Sequence, residues 1–144
     1  MGKEEESLSR FAQGFNCAQS VLSTYCPQLG LDRECGLRLT GALGGGVAGT
    51  GETCGAVVGA LLVIGLAHAS TEGHDAVAKE RTRGISHRFL ERFQSAHGSC
   101  RCKDLLNCDI ATAEGKERAR AENLFETLCP RFVAGAVHIL GDVL

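Results

Sequence analysis

The chain has no tryptophan, one tyrosine and one methionine, and its formal net charge is -2. It therefore lacks the aromatic platforms and the basic field that nucleic-acid binding requires. The opening Met-Gly-Lys-Glu-Glu-Glu-Ser is acidic where a secretory signal carries a positive region followed by an apolar run. Glu6 also stands where N-myristoylation wants Ser or Thr. A cytoplasmic protein is expected. The uncharged stretch 54–67 reaches only ~20 Å as a helix, short of a bilayer's ~30 Å core, so no membrane insertion is expected either.

Other absences narrow the chemistry. There is no His-Glu-x-x-His, no Walker lysine after the glycines, no Cys-x-x-Cys and no Cys-x-x-Cys-His. Gly44-x-Gly46-x-x-Gly49 has the form of a dinucleotide fingerprint, but the preceding Leu37-Arg38-Leu39-Thr40-Gly41 makes a poor strand. The run from Gly41 to Glu52 reads instead as a flexible loop that lets backbone pass close to Cys54 or to whatever Cys54 holds. No segment alternates apolar and polar residues with β-branched enrichment, so no sheet is expected.

What is present is helical patterning. Leu8, Phe11, Ala12 and Phe15 have the spacing of a buried stripe, and Asn16 is a good N-cap for Cys17 to Tyr25, which Pro27 ends. Asp32 can cap a short helix through about Leu43. Thr53 is expected to cap a central helix with Cys54 in its first turn, where free N–H groups favour an anion such as a thiolate. Glu72 to Gln94 carries Ile85, Phe89 and Phe93 at four-residue steps. A helix from Thr112 or Ala113 turns Ala121, Leu124, Phe125 and Leu128 inward, and Pro130 opens the last one. These patterns predict one all-α domain over residues 1–144, a bundle of about four main helices plus short ones. Gly55 and Gly59, with Ala134, Ala136 and Ile139, suggest a homodimer.

Eight cysteines among 144 residues are too few for a disulfide scaffold and, without an export signal, read as metal or redox groups. Cys26 and Cys35 read as inert packing. Cys17, Cys54 and Cys129 begin predicted helices and Cys102 precedes a helical turn, positions at which backbone donors stabilise thiolates. Helix order alone does not say whether the four converge.

Phe15-Asn16-Cys17-Ala18-Gln19-Ser20-Val21, Gly51-Glu52-Thr53-Cys54-Gly55-Ala56-Val57-Val58-Gly59-Ala60, Cys102-Lys103-Asp104-Leu105-Leu106 and Cys129 together resemble a known family. It comprises the redox-active proteins named for one Cys, a Cys-Gly-Ala-x-x-Gly element and two later Cys. Its members are similar to the C-terminal helical domain of split-Soret cytochrome c, for which an iron–sulfur cluster has been proposed. The resemblance implies redox or metal chemistry without naming a reaction, and the haem of that cytochrome does not carry over. The extra Cys26, Cys35, Cys100 and Cys108 leave open which of Cys100, Cys102 and Cys108 is a ligand.

Three expectations follow. In the first, Cys17, Cys54, Cys102 and Cys129 hold an iron–sulfur centre, most simply [2Fe–2S], and pass electrons to an unidentified redox partner. In the second, the protein is a thiol–disulfide oxidoreductase with Cys54 as low-pKa nucleophile, resolved by Cys17 or Cys102. In the third, His97, Cys100, Cys102 and Cys108 form a structural zinc site. A chain with no prosthetic group completes the set.

Overall fold

A computed structural model describes all 144 residues, Met1–Leu144. The order is α1 (Lys3–Ala12), α2 (Cys17–Tyr25), a 3-10 turn (Pro27–Leu29), α3 (Arg33–Leu39), α4 (Gly55–His68), α5 (Ala76–His97), α6 (Cys102–Leu106), α7 (Ala113–Ala121), α8 (Leu124–Thr127) and α9 (Cys129–Val143). The chain is all-α; its nearest approach to a sheet is an isolated antiparallel bridge between Thr53 and Arg101.

Local signals set most of the helix starts. Asn16 and Gln19 form a reciprocal capping box on α2, each side chain bonding the other residue's backbone. Asp32, Asp75 and Thr112 cap α3, α5 and α7 through their side chains. Cys129 and Pro130 open α9, where proline's missing N–H costs nothing. Thr53 does not cap α4. It lies in the bridge to Arg101, and Cys54 itself is the N-cap residue.

One contiguous core joins α2, α4, α5 and α9, with Val21, Leu22, Val57, Ile64, Phe89, Phe93, Val133 and Leu140 all fully or almost fully enclosed. By length and hydropathy Leu124–Val143 could cross a bilayer. Its Phe132, Val133, Ala136, Val137, Ile139 and Leu140 are instead committed to this core.

Several apolar positions fall outside the expected pattern. Ala12 and Ala121 are exposed, and Ser7 is the buried residue of α1. Asn123, at φ 53°, splits the expected helix after Thr112 into α7 and α8, which turns Ala121 outward. Of the two cysteines assigned to packing, Cys26 is fully buried and Cys35 is exposed. Helix α4 is apolar all round but open along one face, so Leu62 and Leu66 meet solvent. Helix α3 stops at Leu39, where the buried Thr40 hydroxyl bonds back to the Gly36 carbonyl at 2.7 Å.

Helix α4 lies on α2 through two of its three glycines, Gly55 and Gly59. A Cβ on Gly59 would stand 2.9 Å from the Ala18 carbonyl oxygen and 3.1 Å from the Val21 Cβ. One on Gly55 would stand 3.1 Å from both the Ala18 nitrogen and the Cys17 Cβ. The small-residue face that suggested a dimer is thus occupied within the chain, and Ala136 and Ile139 are buried as well. Gly59→Ala is expected to destabilise the fold by about 1–3 kcal/mol through overpacking. Gly65→Ala, where a Cβ would meet nothing within 4 Å, should gain up to about 1 kcal/mol from helix propensity. Chemical denaturation of the two variants checks the opposite signs.

Candidate metal centre

Four helix starts meet at one end of the bundle. Cys17, Cys102 and Cys129 are the first residues of α2, α6 and α9, and Cys54 caps α4. All four line a single cavity of about 150 Å³. An engineered apolar cavity of about that size admits benzene. Phe11, Leu105, Leu106, Phe125 and Phe132 supply its apolar walls, and Gly45, Gly46 and Gly55 supply bare backbone. Cys17 is half-buried and the other three are buried.

Two long-range ties assemble this wall. Asn16 and Gln19, beyond capping α2, donate their side-chain amides to the carbonyls of Thr40 at 3.1 Å and Leu37 at 2.9 Å. This fixes the entry to the glycine run beside Cys17. The second tie joins the two cysteine-bearing loops in antiparallel register. The Cys54 N–H donates to the Cys100 carbonyl at 2.8 Å, Cys102 to Glu52 at 2.6 Å and Lys103 to Gly51 at 2.9 Å. Arg101 grips the Glu52 carboxylate through two nitrogens at 3.2 and 3.1 Å, and Lys103 adds a contact at 3.7 Å. Cys54 lies opposite Cys100 and Cys102 opposite Glu52, so Cys54 and Cys102 are held as diagonal neighbours across the ladder.

The glycine run is ordered rather than flexible, with five of its own backbone hydrogen bonds, including Gly51 to Gly45 and Glu52 to Gly46. Its close approach is to Cys102: a Cβ on Gly46 would stand 2.6 Å from the Cys102 Cβ. Gly46, Glu52, Arg101 and the phenylalanine walls were not singled out by sequence as site residues. Glu52 preceding the hexapeptide and Arg101 beside Cys102 were visible as charges, but nothing local showed that they pair across 49 positions.

The remaining cysteines are directed elsewhere. The Cys100 thiol donates to the Leu90 carbonyl of α5 at 3.8 Å and the Cys108 thiol to the Gly115 carbonyl of α7 at 3.1 Å. His97 lies between the rings of Phe93 and Phe132, at 4.5 and 5.4 Å between centroids. Of the expected zinc set His97, Cys100, Cys102 and Cys108, only Cys102 is on the cavity wall. No three histidine, cysteine or acidic side chains in the chain close on one point at single-ion distance.

Burial dominates the proton affinities. It pushes Cys54 up to about 11, although the Ala56 and Val57 N–H groups at the start of α4 act in the lowering direction. Helix-start stabilisation of a Cys54 thiolate is real here but outweighed, so Cys54 is not a low-pKa thiol. Burial, with Cys54 and Cys129 nearby, pushes Cys102 up to about 12. Cys17 and Cys129 are coupled: interaction between the two thiols holds the Cys129 proton affinity down, and the same interaction, with burial, holds that of Cys17 up. The nearest cations, Arg101 and Lys103, are engaged with Glu52.

Residues 15–143 match the family described as "Putative redox-active protein (C_GCAxxG_C_C)". No curated protein and no solved structure matches the chain.

Raised thiol pKa values set the pH dependence of the metal-free protein. Cys54 and Cys102 keep their protons in the fold at a pH where the unfolded chain has lost them, so unfolding gains as pH rises. Their contribution should be fully present below the ordinary thiol pKa and decline from about pH 9 through 11 to 12. Melting temperatures of metal-free, reduced protein between pH 7 and 11 check this; Cys54→Ala should flatten the decline. The family match covers nearly the whole chain, and the protein belongs to this redox-active family.

Proposed function

We propose that the protein binds an iron–sulfur centre through Cys17, Cys54, Cys102 and Cys129 and serves in one-electron transfer. The observation that carries this reading is the convergence of four thiols, from four separate helix starts, on one apolar cavity. Such clusters are held by four cysteine thiolates. Four buried thiolates without a nearby free cation would be too costly on their own, and a cationic centre supplies the missing charge. Four thiolates on the wall of a cavity of about 150 Å³ suit a polynuclear iron–sulfur group. The simplest such group is [2Fe–2S]. When bound, it would accept and release one electron; the chain holds it, excludes water with Phe11, Phe125 and Phe132, and tunes it through backbone donors.

A cytoplasmic setting suits eight free thiols. The redox partner is a further protein. A second reading is favoured by the coupling of Cys17 with Cys129, two thiols on the same cavity wall. That pair would exchange with a disulfide substrate, forming its own S–S bond as the substrate's two sulfurs leave as thiols. Cys54 would then have no part in the chemistry.

Anaerobic reconstitution separates the two. The iron–sulfur reading expects brown protein with absorbance above 400 nm and iron matched by acid-labile sulfide. Serine at Cys17, Cys54, Cys102 or Cys129 should lower the bound iron several-fold, and serine at Cys35, Cys100 or Cys108 should leave it unchanged. Metal-free protein with a reversible Cys17–Cys129 disulfide would establish the second reading in its place.

A further inference from the structure

Five consecutive residues, Gly45 to Gly49, adopt left-handed backbone, with φ of 63, 68, 67, 53 and 75°. Two of them, Val47 and Ala48, carry side chains, and for a β-branched residue such as Val47 this region is a genuine outlier. Strain of this kind persists where the surroundings impose it, and it clusters at functional sites. The turn is locked from its far side. Ala48 donates to the Ala42 carbonyl at 2.8 Å, Gly49 to Gly44 at 3.0 Å, and the Thr50 hydroxyl to Gly46 at 2.8 Å.

Its near side is different. The N–H groups of Gly45 and Gly46 have no acceptor in the protein. Gly46 is buried, and both residues line the thiol cavity. Buried N–H groups without a partner are rare in native proteins, so the Gly46 N–H, with that of the half-buried Gly45 beside it, points to an acceptor that the chain itself does not supply. No side chain can replace them. A Cβ at Gly46 would stand 2.6 Å from both the Cys102 Cβ and the Glu52 nitrogen, and one at Gly45 would stand 2.9 Å from the Gly49 Cα.

We propose that the backbone N–H groups of Gly45 and Gly46 are hydrogen-bond donors to the sulfur of the centre bound in this cavity, and that the left-handed turn exists to present them. The inference rests on the iron–sulfur reading and deepens it: the glycine run becomes a determinant of reduction potential. A donor to thiolate or sulfide stabilises the more negative, reduced centre, and so raises its potential.

The test replaces Gly46 by glycolic acid, which exchanges the N–H for an ester oxygen and keeps the shape of the backbone. The expected result is a reconstituted protein with the parent's iron and sulfide content and a more negative midpoint potential. The parent's reduced centre should also show coupling to an exchangeable deuteron after transfer to D2O, weakened in the ester variant. Unchanged potential and unchanged deuteron coupling overturn this proposal and leave the iron–sulfur reading standing. A parent that takes up neither iron nor sulfide overturns both. Should the ester chain not fold, Gly45→glycolic acid repeats the measurement, and a reduced parent centre with no coupled exchangeable deuteron overturns the proposal without any variant.

Discussion

The antiparallel pairing of residues 51–54 with 100–103 is the constraint on which the site depends. Three backbone hydrogen bonds are worth only about 1 kcal/mol each in water. They cannot alone offset the entropy of closing the chain between these segments. The helices do the closing. From its start at Gly55, α4 runs ~21 Å, and α5 returns over ~33 Å, so the residues after His97 arrive back beside Cys54. The ladder then fixes register, and the Glu52–Arg101 pair closes its solvent side. A slip of one residue would turn Cys102 away from Cys54, as alternation along an extended segment requires.

That arrangement makes thiols in a dry wall, and a dry wall sets their chemistry. Helix starts favour thiolates, while enclosure by Phe11, Phe125 and Phe132 disfavours them; at Cys54 enclosure wins. A catalytic thiol would need the opposite outcome, with a cation or exposure to keep it ionised near neutral pH. A cationic centre reverses the balance, because low dielectric then strengthens the attraction it offers to each thiolate. The same enclosure that penalises the bare site therefore favours the filled one.

How much of this was legible in sequence depended on distance along the chain. The helical class, the Asn16, Asp32 and Pro130 boundaries, and the grouping of Ile85, Phe89 and Phe93 are local periodicities and caps, and they were readable. Helix-start placement of Cys17 and Cys129 was readable for the same reason. The convergence of four helix starts was not, since it depends on the return of α5 and on a ladder between residues 46 to 52 positions apart. The exposure of Cys35 and Ala121 was missed because burial is decided by neighbours, and Asn123 breaks a helix that composition would continue. The order within the glycine run was hidden too: glycines permit left-handed backbone, but the accepting carbonyls of Ala42, Gly44, Gly45, Gly46 and Val47 select it.

The hexapeptide Cys54-Gly55-Ala56-Val57-Val58-Gly59 can now be understood as a packing rule attached to a thiol. Cys54, outside the helix proper, faces the cavity. Gly55 and Gly59, four apart, lie on the one side of α4 that must touch α2, and Ala56 and Val57 are fully enclosed between them and the core. Helix α2 begins with Cys17, and the Cys17 Cβ is what a Gly55 side chain would meet. The two glycines thus set how near Cys17 comes to Cys54, and Val58, partly exposed, is free of that duty. Spacing in this element is a distance between two sulfur-bearing backbones, written as the absence of two methyl groups.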